Sequence, residues 1–284
     1  GIIGIGVAFA WMIAGTIAWN VTQFRYVPSL VTQLPAFAAA NGLAFTPSGA
    51  GLKYPGSVFR MGGARPVNRL TARSGRFFEI GDIQMGSSTS VLPESAESQG
   101  GLIWGYIAID LGRNLPHIVL EPRLDDDDYT PIAPMLPDHD QVLSLEGDFD
   151  QSFTLYCPRE YERDALYIFA PDLMGLFVDW AAGLSAEIVD QWLFIYAFRP
   201  FSGSTAADYE RAFRVTELIG DKAERQTRQY VDERSVVPRA VARPGQRLRR
   251  DPSRWVSWTL PALRIGGSIG AALGVLSLLA INLF

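Results

Sequence analysis

The chain has 284 residues, with 25 basic against 30 acidic side chains and a formal net charge of -5. That is room for one fair-sized domain plus anchors, or two small domains. The charge is uneven, acidic through the middle and basic near the end, which argues against a uniformly basic nucleic-acid binder. The single cysteine, Cys157, excludes an intrachain disulfide and fits a reducing compartment.

Gly1 to Trp19 carries no charged residue and is about as long as a membrane-spanning helix requires. It opens without an initiator Met, so further residues upstream are expected. A signal peptide is the competing reading, but no basic n-region or polar cleavage context accompanies it. Gly6, Ala10, Ala14 and Ala18 recur at every fourth position, a small-residue stripe along which another helix can approach closely. The next segment, 20–42, reads as a connector. Its helix runs from Phe24 to Asn41, with Leu30, Leu34, Phe37 and Ala38 near helical spacing and Gly42 at the stop. Pro28 suits a first turn, whereas Pro35 threatens a kink.

An α+β domain is expected over 43–204, built on a mainly antiparallel sheet with flanking helices. Leu43 to Thr71 reads as turns and short extended pieces. Its glycines match no phosphate-loop pattern. Arg76–Met85 is a strand with Phe78, Ile80 and Ile83 inward, and Leu102–Leu111 and Pro116–Glu121 are two more. Gln141–Leu145 leads to Gly147, and Gln151–Tyr156 follows as a strand. Asp172 to Trp180 reads as a helix with Asp172 near its N-cap and Leu173, Leu176, Phe177 and Trp180 on the buried face. Glu187–Phe198, apolar on both faces, is the expected central strand. Thr205 to about Arg234 is a long amphipathic helix with acid–base pairs such as Glu210 with Arg214 and Glu224 with Arg228.

The basic stretch 236–264 has seven arginines (239, 243, 247, 249, 250, 254 and 264) against Asp251. Arg243, Arg247, Arg249, Arg250 and Arg254 are the expected contacts for anionic lipid headgroups. Ile265 to Phe284 then runs without a charge, with Gly266, Gly270 and Gly274 on one face. It is the second candidate span. The positive-inside rule places the domain on the cytoplasmic side of a cell membrane crossed twice.

No catalytic constellation stands out. Asp125, Asp126, Asp127 and Asp128 form an acidic run without the spacing of a Ca²⁺ loop, so they read as a solvated loop or a partner-docking patch. Glu146, Asp148 and Asp150 alternate beside Gly147 and suit a turn better than an acid–base pair. His117 and His139 are the only histidines, too few for a three-histidine zinc site. No cofactor or metal is expected. Neither membrane run contains Asp, Glu, Lys, Arg or His, which argues against a transporter made of these helices alone.

The stretches FFEIGDIQ (77–84), GYIAIDLGRNLPHIVLE (105–121), LSLEGDFDQSFTLYCP (143–158), DALYIFAPDLMGLFVDWA (164–181) and EIVDQWLFIY (187–196) resemble a family of actinobacterial membrane-associated proteins with no assigned activity. The resemblance carries over no catalytic residue. The preference for arginine over lysine, with only Lys53 and Lys222 present, fits a GC-rich source. The function expected from these features is a non-catalytic accessory or assembly subunit of a larger membrane complex, with a respiratory-chain assembly as the host. Its partners would be membrane lipids and other integral membrane subunits, and no nucleic acid. The alternatives are a membrane-anchored ligand-binding or sensing module, with a pocket between the sheet and the Asp172–Trp180 helix, and a membrane-bound hydrolase.

Overall fold

Two long antiparallel strands, β4 (Ile103–Pro122) and β7 (Ser185–Ala197), are the spine on which every other element is placed. The computed structural model describes residues 28–48, 53–61, 63–85, 103–123, 132, 137–145, 147–202 and 205–249. In chain order the remaining elements begin with α1 (Pro28–Ala40), β1 (Leu43–Thr46), β2 (Ala64–Ala72) and β3 (Phe78–Met85). After β4 come β5 (Val142–Leu143), α2 (Phe149–Ser152), β6 (Phe153–Tyr156), α3 (Glu162–Ile168) and α4 (Pro171–Trp180). After β7 come α5 (Ala206–Thr227) and a short α6 (Arg243–Gln246).

All pairings of the sheet are antiparallel, in the order β1-β2-β3-β4-β6-β5, with β7 on the other side of β4. An α+β domain with a mainly antiparallel sheet and flanking helices is thus what the sequence specifies. Side chains alternate between the two faces of a strand, and the two faces have different covers. Ile107 and Ile109 of β4 and Leu193 and Ile195 of β7 belong to the core under the helices. Trp104, Tyr106, Phe194 and Tyr196 belong to the opposite core, which is covered by Tyr54, Val58, Leu248 and the partly buried Phe59. Some ring pairs there meet edge-on, such as Phe59 with Tyr106 at 5.0 Å and 89°, and others stack, such as Phe194 with Tyr196 at 6.0 Å and 13°, both favoured aromatic arrangements.

Several expectations are corrected. The strand reading of 102–111 and 116–121 becomes one strand, because Gly112 (φ +66°) forms an irregularity within β4 and does not end it. Residues 43–71 contain β1 and all but the last residue of β2. The latter was hidden by its polar residues Asn68, Arg69 and Thr71, which bond to acids of β3. Residues 149–152 are helical and only 153–156 extended. Among the described residues β7 pairs with β4 alone, so it is buried on both faces without being central. Trp180, expected inward, is 36% exposed, whereas Leu173 and Phe177 are 1% exposed. Ala170 is the N-cap position of that helix and Asp172 lies in its first turn.

The long helix starts where expected, on a capping box between Thr205 and Asp208, worth about 1 kcal/mol. It stops earlier, at Thr227, whose hydroxyl turns back to the Ala223 carbonyl. The connector helix is described from Pro28 to Ala40 and buries Leu34 and Ala38 while Phe37 stays 39% exposed. Gly42, at φ +67°, makes the stop. No helix among the described residues is long and apolar enough to cross a membrane. The two candidate spans, 1–19 and 265–284, lie outside the described residues.

Candidate functional site

Four buried carboxylates organise the polar interior: Glu79, Asp82 and Glu187 tie chain segments to the sheet, and Asp232 joins segments outside it. Glu187 of β7 is fully buried and points into the aromatic face. It accepts from the Ser57 amide (2.8 Å), the Ser57 hydroxyl (2.6 Å) and the Tyr196 hydroxyl (2.9 Å), and lies 2.8 Å from His117 Nε2. Burial pushes its carboxyl up, but the bonds from His117 and Ser57 outweigh that and hold it below the ordinary range. The other imidazole nitrogen, His117 Nδ1, accepts the Leu248 amide at 3.0 Å. That contact fixes the tautomer, so Nε2 carries the proton donated to Glu187.

Serine, histidine and glutamate therefore meet here without forming a nucleophile relay. The Ser57 hydroxyl donates to the carboxylate, and both imidazole nitrogens are occupied elsewhere. Activation would need the hydroxyl on the imidazole. What the cluster does is join the 53–61 loop, both long strands and the C-terminal segment at one point.

On the same face Glu79 of β3 accepts from Tyr106 (2.6 Å), Tyr54 (3.0 Å) and Thr71 (2.9 Å), with Arg69 at 3.5 Å. Burial, then the Glu79 charge, pushes both phenols well up, so they stay protonated donors. Asp82, on the helix side of β3, accepts the Phe201 amide at 2.7 Å and the Asn68 side chain at 3.3 Å. Complete burial raises its carboxyl to about 6 against these bonds. Asn68 sits at φ +52° in the β2 irregularity, and its own amide donates to Pro47 at 2.8 Å.

The fourth carboxylate, Asp232, lies just past α5. It accepts from the Tyr161 hydroxyl (2.7 Å), the Ala242 amide (2.8 Å) and the Arg234 amide (3.0 Å). Burial pushes it up and these bonds bring it below the ordinary range. Arg234 lies over the Tyr161 ring at 4.2 Å and bonds Asp164 at 2.8 Å. Residues 241–249 then run as a strap over the aromatic face. Gly245 passes so close to Tyr161 that a Cβ would strike the ring. Arg247 forks onto Asp190 (2.9 and 3.1 Å). The backbone of Arg249 is clasped by the Gln141 side chain (2.9 and 2.8 Å) and its guanidinium pairs with Asp140. Arg249 holds the Asp140 carboxyl below the ordinary range.

The expected lipid contacts are thus divided. Arg243 is exposed, Arg247 and Arg249 are ion-paired with the domain, and Arg250 and Arg254 lie outside the described residues. The proposed docking run, Asp125 to Asp128, and the packing positions Gly6, Ala10, Ala14, Ala18, Gly266, Gly270 and Gly274 also lie outside them, as does Glu146. Asp150 accepts from Ser144 and the Leu145 amide, and Asp148 accepts from Gln151 at 2.9 Å. These two acids brace a turn, as the glycine beside them implied. Cys157 is buried, and burial followed by Glu162 and Asp164 pushes its thiol up to about 12, which makes it unreactive. Among the described residues no group of three or more His, Cys, Asp or Glu is arranged to hold a metal.

The pocket expected between the sheet and the 172–180 helix is filled by Leu173 and Phe177, the latter against Phe153 and Phe169 at 6.2 and 5.7 Å. An open groove of ≈ 360 Å³ lies instead between α1, the β1–β2 edge and α5, lined by Phe37, Leu43, Phe78 and Phe213 with Arg73 beside them. Sequence reading missed the four carboxylates. The available signal was an acidic residue in phase with apolar strand neighbours, as in Glu79 with Gly81 and Ile83.

No family model matches the chain, and no curated protein matches it. Among solved structures, the crystal structure of the mycobacterial trehalose monomycolate transport factor A, TtfA, is similar with a TM-score of 0.46 and 14% identity. The match covers 70% of this chain and 94% of that chain.

Proposed function

We propose that this chain is a non-catalytic accessory or assembly subunit of a larger membrane complex, crossing the membrane at 1–19 and 265–284 and placing its α+β domain on the cytoplasmic face. The observation that carries the reading is the strap. Residues 242, 247, 248 and 249 are each held by a named side chain of the domain. Residues 242–249, the described part of the chain on its way to the second apolar stretch, are therefore fixed to the domain. A domain that holds its outgoing chain in this way suits a part that sits in one orientation against neighbouring subunits. The buried Ser57, His117 and Glu187 are all engaged in that bracing, which supports a structural role over a hydrolytic one.

The small-residue positions of the two apolar stretches supply the helix-packing surface. Respiratory-chain subunits are the first partners to test. Purification in mild detergent, followed by native electrophoresis and mass spectrometry, is the experiment. Stoichiometric co-purifying membrane subunits are expected, and a lone monomer would contradict the reading.

A further inference from the structure

The loop between α5 and the strap presents apolar side chains outward on a fixed frame. Val236 is 98% exposed, Val231 64% and Val237 57%. The frame is hydrogen-bonded at several points. The Ser235 amide donates to the Asp232 carbonyl (3.1 Å), the Val237 amide to the Ser235 hydroxyl (3.3 Å) and the Ala240 amide to the Val237 carbonyl (3.2 Å). Buried Asp232 anchors the base of the loop. Tyr167 of α3, 43% exposed, bonds the Gln226 carbonyl in the last turn of α5, ahead of this loop.

Basic side chains gather beside these valines. The irregularity in β4 brings Arg113 onto the Arg228 carbonyl (3.0 Å) and Asn114 onto the Arg239 carbonyl (3.2 Å). Arg239 and Arg243 are exposed and have no carboxylate partner among the described residues. Arg234 is committed to Asp164 and Asp232. Two exposed acids, Glu160 and Glu233, lie nearby, and the Glu160 carbonyl accepts from Arg234.

We propose that this loop is a membrane-contact surface. It lays Val231, Val236 and Val237 into the headgroup region of an anionic leaflet, with Arg113, Arg239 and Arg243 against lipid phosphates. Two observations choose lipid as the occupant. The first is the charge complementarity of the arginines to an anionic surface. The second is the course of the chain, which passes from this loop through the strap into 250–264 and the uncharged 265–284. That link spans at most roughly 50 Å, so the domain stays close to the bilayer. The proposal rests on the reading of 265–284 as a spanning helix.

The test uses the full chain in phosphatidylcholine vesicles with and without phosphatidylglycerol. Val236→Cys carries an environment-sensitive dye, and Val142→Cys, at a site 42% exposed on β5, is the control. Buried Cys157 is shielded from labelling. The dye at position 236 should shift to the blue and be quenched by lipids spin-labelled near the headgroup, more strongly with phosphatidylglycerol. Arg239→Glu combined with Arg243→Glu should reduce that quenching several-fold. The control should stay water-like. Water-like emission at position 236 in both vesicles would overturn the proposal, as would shielding without lipid quenching, which assigns the loop to a second copy of the chain. A chain stripped from vesicles by alkaline carbonate would sink the anchor reading as well. An anchored chain with a wet position 236 removes only this proposal.

Discussion

Asp82 and Glu187 are both fully buried carboxylates, yet pH acts on them with opposite sign. The folded protein holds the Asp82 proton up to about 6, against an ordinary value of 3.8. Its contribution to stability is therefore fully present below about pH 4 and is lost as pH rises through about 6, a change on the order of 3 kcal/mol. Glu187 is depressed from 4.5, so its contribution is present above that value and fades as pH falls through its lower folded value. Asp82→Asn should remove the first effect alone. The midpoint difference between variant and wild type, from thermal unfolding of the domain across pH 4 to 7, should move in the variant's favour up to about pH 6 and then stay level. A difference that does not change with pH would show that Asp82 is not the titrating group. Asp82 shares its phase with Phe78 and Ile80 on a regular strand, so its burial had a signal in the sequence, whereas Glu187 is hidden because an irregularity breaks the period that would reveal it. Glu187 is in phase with Val189, but Trp192, Phe194 and Tyr196 follow on the other parity after Asp190 at φ +54°.

The strap gives the element-scale prediction. Gly245 does not sit at positive φ, so alanine is barred there only by its neighbours. Tyr161 Cε1 and Val241 Cγ1 would each lie 2.7 Å from the added carbon. Gly245→Ala should lift the strap from Tyr161 at a cost of about 1–3 kcal/mol. The readout is hydrogen exchange, which should quicken over 241–249, including the Leu248 amide held by His117, while β4 and β7 remain protected. Unchanged exchange in the strap would contradict its packing against Tyr161. In sequence this segment reads as a basic juxtamembrane stretch with its arginines on lipid headgroups, because arginines dominate its composition. Val241 and Leu248, buried at 5% and 8%, were the counter-signal, two apolar side chains spaced along an otherwise polar run. The helices were easier to read. Their apolar spacing is local, and Thr205 with Asp208 marks the start of α5 directly.

At the scale of the whole molecule, the α+β class followed from short apolar runs bounded by turn residues. β2 did not, because its polar side chains find their partners only across the sheet, on Glu79 and Asp82. The open groove at α1 was equally illegible, since it is made by elements distant in sequence. The membrane stretches rest on composition and on the small-residue spacing of Gly266, Gly270 and Gly274. If that stripe packs against a partner helix, Gly270→Leu should weaken association several-fold while leaving membrane insertion intact. Equal recovery of every partner by variant and wild type would argue against it. The most direct test of the central claim is the mass of the particle released from membranes by mild detergent. A complex well above the 31.2 kDa of the chain, with other integral membrane subunits in fixed ratio, is expected. A particle of one chain in its detergent belt would contradict it.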